Sequence, residues 1–308
     1  TKNKCFMKKV FLALALCASF SGFAQVLKVT SVEKVNTPAN PMATVAAISP
    51  KGDYLLLSTS GNQGLTKFDL NTNQATKITD AAGAGFDVQV SQDGNTVVYR
   101  ENSYTANHLR KVALKSINLT SGEMANLVAP TRDLQGVAVQ GATALAVNKG
   151  KLSAKAIGAS ATKATAPVLS ISNRQLMITR NGKTSVFSPN GQNFSYIWQS
   201  VSPDGKKALY FVCGVGAFVC DLDGNNVKSL GLVRAPQWYD NNTVVGMQDV
   251  DNGEFILSSK IVAVTLDGTM QTLTGDDTIA MYPYASAASG KIAFSTPAGE
   301  AYIINVAK

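Results

Sequence analysis

Only one histidine, His108, is present among 308 residues. A Ser-His-Asp triad or an imidazole-rich metal site needs a ring nitrogen as base or ligand. His108 stands in the polar run 101–110 and supplies one such group, so it reads as an exposed loop residue, and a His-ligated zinc site is excluded. The oxygen-bearing residues offer more. Asp221, Asp223 and Asn225 alternate like the opening of a calcium loop, but Asn226 stands where that loop needs glycine and Leu232 where it needs a bidentate glutamate. A hairpin turn is the simpler reading. Asp249, Asp251 and Glu254 share a longer loop, the one place where calcium is a candidate; otherwise no metal and no cofactor is expected. With Asp276 and Asp277 these acids also offer general acid–base chemistry, since paired carboxylates exchange protons or hold a divalent ion.

Of the four cysteines, Cys5 and Cys17 fall in the N-terminal stretch, leaving Cys213 and Cys220. A two-residue turn at Gly216-Ala217 would set these two opposite each other on adjacent strands, within reach of a disulfide. A structural bridge between Cys213 and Cys220 is expected in an oxidising compartment; two buried thiols are the alternative.

That compartment is read from residues 1–24. Met7-Lys8-Lys9 is a natural start with a basic flank, residues 10–20 are a short apolar run, and Gly22-Phe23-Ala24 places small residues where a signal peptidase reads. Cleavage is expected before Gln25, with residues 1–6 upstream of the true start, giving a periplasmic or secreted protein. The apolar run is too short to span a bilayer comfortably, and no other transmembrane segment is expected. Lipidation at Cys17 is disfavoured because Leu16, ahead of it, is not small. Loss of this leader takes Lys2, Lys4, Lys8 and Lys9 and no acid, so a net charge of +8 falls by four to +4. No cluster of basic and aromatic residues remains, which excludes nucleic-acid binding.

The elements that must position any site repeat. In residues 201–230, Ser202-Pro203-Asp204-Gly205 suits a type I turn. Residues 208–212 and 217–222 are short apolar strands, and Asp223-Gly224 is a second turn. The same grammar runs through 48–79, 90–128 and 238–274, and partially through 291–306, at a period of roughly forty to fifty residues, the mark of four-stranded propeller blades. Residues 26–35 alternate like a strand that completes the last blade and closes the ring, which removes unpaired edges. Residues 137–148 and 175–187 form a third blade interrupted by the Ala/Ser/Thr/Lys-rich insert 149–173. The expectation is an all-β fold with one domain over 25–308: a β-propeller of six blades, or seven if that insert folds as a unit of its own.

The segments 48–57 and 201–211, each followed by an Asp-Leu-containing strand and a turn, resemble the TolB-type or WD-like propeller repeat of exported bacterial proteins. The likeness covers nearly all of 41–308. TolB carries an α/β domain ahead of its propeller, whereas only 25–40 precede the first blade here, so the TolB role is not carried over. Proteins with such repeats include partner-binding propellers, propeller halves of prolyl peptidases and a few enzymes; no hydrolase domain follows here, which weighs against a peptidase.

In such a blade, the loops between blades and those between the second and third strands emerge together. That face is expected to hold Tyr104 and His108, Phe194 and Tyr196, Arg234, Asp249 and Asp251, and Tyr282, the candidate partner-binding residues. Trp198 and Trp238 are expected to pack between blades. The leading function is a monomeric, non-catalytic scaffold that binds a protein or peptide in the cell envelope. The alternatives are a glycan binder using Tyr104 and Tyr282, and a carboxylate- or metal-dependent hydrolase or lyase at the channel mouth.

Overall fold

The computed structural model describes residues 25–37, 43–158 and 166–307. The expected leader, 1–24, lies outside them. The short β-branched and aromatic runs are too brief to bury themselves singly, so they pair into small antiparallel sheets that bury both faces against neighbours. Among the described residues there are seven such sheets. Blade 1 is Ala43–Ile48, Tyr54–Thr59, Gln63–Asp69 and Ala75–Ala82; blade 2 is Gln89–Val90, Thr96–Tyr104, Arg110–Asn118 and Met124–Thr131. Blade 3 is Leu134–Gln140, Thr143–Asn148 and Lys151–Ala156; blade 4 is Val168–Ser172, Gln175–Arg180 and Lys183–Val186. Blade 5 is Tyr196–Val201, Lys207–Val212, Gly216–Asp221 and Lys228–Gly231; blade 6 is Arg234–Trp238, Thr243–Asp251, Ile256–Thr265 and Met270–Thr272. Blade 7 is Met281–Ser286, Lys291–Ser295 and Ala301–Val306, with Val29–Lys34 as its outermost strand.

The closing strand therefore sits where the alternation placed it. Lys34 pairs with Tyr302 and Val29 with Val306, and the Val35 N–H donates to the Ala301 carbonyl at 2.8 Å. The repeated Ser-x-x-Gly turn also forms as read. Ser49, Ser91 and Ser202 are buried where the first strand turns into the second, and the N–H of Gly52, Gly94 and Gly205 donates back to each serine carbonyl. The Ser91 and Ser202 hydroxyls donate to Asp93 and Asp204 and hold those carboxyls below their usual range. Apolar clusters fill the spaces between blades. Leu209, Val244 and Val262 join blades 5 and 6, with Trp198 and Trp238 packed against them as expected.

Six blades become seven because the insert 149–173 builds strands of its own. Inner strands elsewhere start on one face, here called the upper, and end at the serine turns on the lower. Ala166, just ahead of Val168–Ser172, exchanges hydrogen bonds with the Gln140 amide at the lower end of blade 3 and packs against the turn glycine Gly205. Arg174, just after that strand, accepts the N–H of Tyr196 at the upper end of blade 5. Val168–Ser172 thus runs opposite to the other inner strands. One four-stranded blade has taken in an antiparallel pair of strands, Lys151–Ala156 and Val168–Ser172, and divided into two three-stranded blades. Because the pair runs down and back, every later strand keeps its direction.

The Cys213–Cys220 disulfide is corrected as well. Val212 pairs with Gly216, so the turn is Cys213-Gly214-Val215 rather than Gly216-Ala217. Gly216 sets this register: its φ is +146°, and a Cβ there would lie 2.5 Å from the Gly231 carbonyl oxygen. Cys220 consequently faces Ala208, buried, while Cys213 rides exposed in the turn, and both thiols are free.

Candidate functional site

The upper face gathers the starts of the inner strands and the ends of the second strands around the channel mouth. Three inner strands carry a β-bulge at matching places, between Ile197 and Ser200, Arg234 and Gln237, and Met281 and Tyr284. The first extra residue in each, Trp198, Ala235 and Tyr282, has φ of +52°, +45° and +52°; Asp87, at the equivalent place in blade 2, has +50°. A left-handed conformation costs a non-glycine residue about 1–2 kcal/mol, and bulges re-aim side chains at barrel rims and sites. Four left-handed residues thus form a partial ring at the mouth.

Blades 6 and 7 bring four of the expected residues together. Arg234 Nη1 donates to Asp249 Oδ2 at 2.7 Å and to Asp251 Oδ2 at 3.3 Å. The Asp249 side chain is only 2% exposed, whereas those of Arg234 and Asp251 are each 38% exposed. Burial lowers the Arg234 pKa, but the hydrogen bonds and charges of Asp249 and Asp251 outweigh it and raise the pKa above the ordinary value. The guanidinium thus supplies the positive charge between the two carboxylates, the place considered for calcium. Tyr282 stands beside them: its N–H donates to Met247 Sδ at 3.4 Å, and Met247 lies opposite Arg234. Among the described residues no group of three or more His, Cys, Asp or Glu is placed to hold a metal. Asp276 pairs with Lys260 at 2.6 Å. Of the acids proposed for acid–base work, Asp249 and Asp251 thus share Arg234 while Asp276 takes Lys260.

Blade 2 contributes a second charge pair that sequence reasoning missed. Arg100 Nη1 reaches Asp87 Oδ2 at 2.8 Å, donates to the Phe86 and Asp87 carbonyls, and lies over the Phe86 ring. The Asp87 charge extends to Tyr284 on blade 7; burial first, then Asp87 and Tyr282, push that phenol up to about 12. No sequence spacing links Asp87 to Arg100 or to Tyr284; the bulge and the closed ring do.

Two tall hairpins flank this mouth. The second strands of blades 2 and 6 are 9 residues long, against 6 in blades 1, 3 and 5. Half of what reads as insertion in 101–110 and 249–254 is strand, because a solvated hairpin needs no apolar alternation. Tyr104 (63% exposed) and Leu109 stand near the blade 2 tip, where His108 takes a left-handed turn conformation. Val250, Phe255 (63% exposed) and Leu257 stand at the blade 6 tip. Tyr196 is not on this surface. It is 1% exposed, its hydroxyl donates to the Gly191 carbonyl and accepts the Asn190 N–H, and its ring lies against Tyr210. An inner-strand position turned toward the neighbouring blade, rather than a loop, explains its burial.

No family model matches the chain, and no curated protein matches it. Solved structures do. The chain is similar to a TolB from Agrobacterium tumefaciens (16% identity, covering 90% of this chain and 97% of that one, TM-score 0.54). It is also similar to the Cps50 (Swd1) β-propeller domain of Myceliophthora thermophila (11% identity, 91% and 100% covered, TM-score 0.57). An oligogalacturonate lyase from Vibrio parahaemolyticus aligns at 13% identity over 85% and 76%, with a TM-score of 0.47. At these identities the likeness is one of fold: the chain is a β-propeller of the kind seen in TolB and in WD-repeat proteins.

Proposed function

We propose that this propeller is a non-catalytic scaffold that holds a protein or peptide partner across its upper mouth, between the arms of blades 2 and 6. The observation that carries the reading is the pairing of apolar arm tips with a polar floor. Tyr104, Leu109, Val250, Phe255 and Leu257 are exposed on the arms, while Asp249 and Asp251 on the blade 6 arm hold Arg234, and Tyr282 stands beside them on blade 7. Exposed apolar groups rimmed by fixed charges are the make-up of an interaction surface, and tyrosine and arginine are frequent energetic anchors there. Export to the periplasm or beyond, from the leader-like residues 1–24, and a monomeric state complete the proposal. No helix among the described residues is long and apolar enough to cross a membrane.

The test is capture from envelope extract with residues 25–308 as bait, beside a bait carrying Tyr104→Ser and Phe255→Ser. Both side chains are exposed, so the fold is untouched. A partner retained by the first bait and lost by the second supports the reading. Equal retention by both removes this face from consideration. Binding to a glycan array that Tyr104→Ser or Tyr282→Ala abolishes would replace the protein partner with a carbohydrate.

A further inference from the structure

Away from the mouth, the divided blades leave something unfinished. Blades 3 and 4 lack a fourth strand, so Lys151–Ala156 is an open edge among the described residues. Its register shows which groups are unused. Asn148 and Lys151 close a two-residue turn, and the Ile157 N–H donates to the Ala142 carbonyl. By the antiparallel alternation, residues 151, 153, 155 and 157 bond inward. The N–H and C=O groups of Leu152, Ala154 and Ala156 then point outward, along a strand that is exposed except at Leu152. Beside this edge runs a groove of about 340 Å3 with an apolar floor of Leu127, Val128 and Leu152 and with Lys149 and Lys151 at its rim.

The charge of this sector is one-sided. Residues 134–203 contain seven lysines and arginines and no aspartate or glutamate. Among the described residues neither Lys151 nor Lys155 has a carboxylate partner; Lys155 donates to the Asn126 carbonyl, and Lys149 stands 3.9 Å from Asp133. Lysines on an edge strand oppose pairing with an identical edge, because two copies would set Lys151 and Lys155 against themselves. They favour an edge of opposite charge.

We propose that the Lys151–Ala156 edge accepts an extended acidic peptide segment of a partner protein as the missing fourth strand of blade 3. Only another strand offers N–H and C=O groups at the spacing this edge presents. Side chains of a strand alternate, so the acidic ones of the incoming segment meet Lys151 and Lys155 on the face turned toward Leu127 and Val128, and its apolar ones lie on the opposite face beside Leu152. This surface lies at the rim of the disc and is separate from the upper mouth.

The experiment titrates the folded protein with a fluorescent peptide of alternating glutamate and valine, and with its lysine–valine counterpart. The expected result is binding of the acidic peptide alone, with slowed hydrogen exchange at the Leu152, Ala154 and Ala156 amides. Lys151→Glu with Lys155→Glu weakens binding by about tenfold or more, since like charges then face each other. Ala154→Pro abolishes it; proline is tolerated on an edge whose N–H faces solvent, and an unchanged melting temperature verifies the fold. Absence of binding overturns the proposal. So does binding that slows none of those amides, or that survives Ala154→Pro and is matched by an acidic polysaccharide, since charge alone would then suffice.

Discussion

Cys220 and Cys213 show how one register decides the chemistry of a residue. Burial, above all else, pushes the Cys220 thiol up to about 12, whereas Cys213 stands exposed in its turn. A maleimide reagent near about pH 8 should therefore label Cys213 quickly and Cys220 only after unfolding; mass spectrometry of the labelled chain checks it, and a bridged pair would take no label. The same shift has a sign for stability. A thiol whose pKa is raised from 9.0 to about 12 in the folded state keeps its proton there while the unfolded chain loses it. Stability present below pH 9 is therefore lost progressively up to about 12, and Tyr284, raised from 10.0 to about 12, adds to the loss. Chemical denaturation across that range should show a falling midpoint, less steep in Cys220→Ala. At this scale Arg234, Asp249 and Asp251 were legible because each lies at the upper end of a strand in one blade. Asp87, Arg100 and Tyr284 were not, because what joins them is the left-handed turn at Asp87 and the proximity of blades 2 and 7.

At the scale of the element, the blade 6 bulge depends on a small residue across from it. Gly246 is the single position opposite Ala235 and Pro236, and a Cβ there would lie 2.3 Å from Val233 Cγ1 and 2.9 Å from the Arg234 carbonyl oxygen. Gly246→Ala should cost about 2–3 kcal/mol in an overpacked core and shift Arg234 away from Asp249. Denaturant titration and the pull-down described above read the two effects, and a variant as stable and as active in binding as the parent would refute the account of the bulge. Strand order and turn chemistry were readable because Ser, Gly and alternating apolar residues act locally. The bulges were not, since the extra residue in each is tryptophan, alanine or tyrosine, none of which announces a left-handed backbone. Nor was the tall arm at 96–118, where exposure on both faces erases the alternation that marks a strand.

Over the whole molecule, closure was the most legible feature and blade number the least. A lone alternating segment, 26–35, matched a last repeat that runs out after its third strand, and it fills the outer side of blade 7. The count depended on the insert 149–173, whose low apolar content hid two strands, Val168–Ser172 packed between blades and Lys151–Ala156 exposed at an edge. Removal of residues 25–35 should leave Ala301–Val306 as a bare apolar edge. It should lower the melting temperature by about five to ten degrees, taking several kcal/mol at about 2 °C per kcal/mol for a domain of this size. Thermal melts and sedimentation would report it, and a monodisperse truncated protein with an unchanged melt would show that the ring holds without its clasp.

That clasp also fixes the order of events in the life of the chain. Thr30 hydroxyl and Asn305 carbonyl, hydrogen-bonded in the finished ring, are 275 positions apart. A chain emerging from the ribosome N-terminus first carries its opening strand unpaired until Ala301–Val306 has been made. Contacts of such sequence separation form late and slowly. The ring therefore cannot close before its last blade is made, and until then the first six blades stand without their clasp.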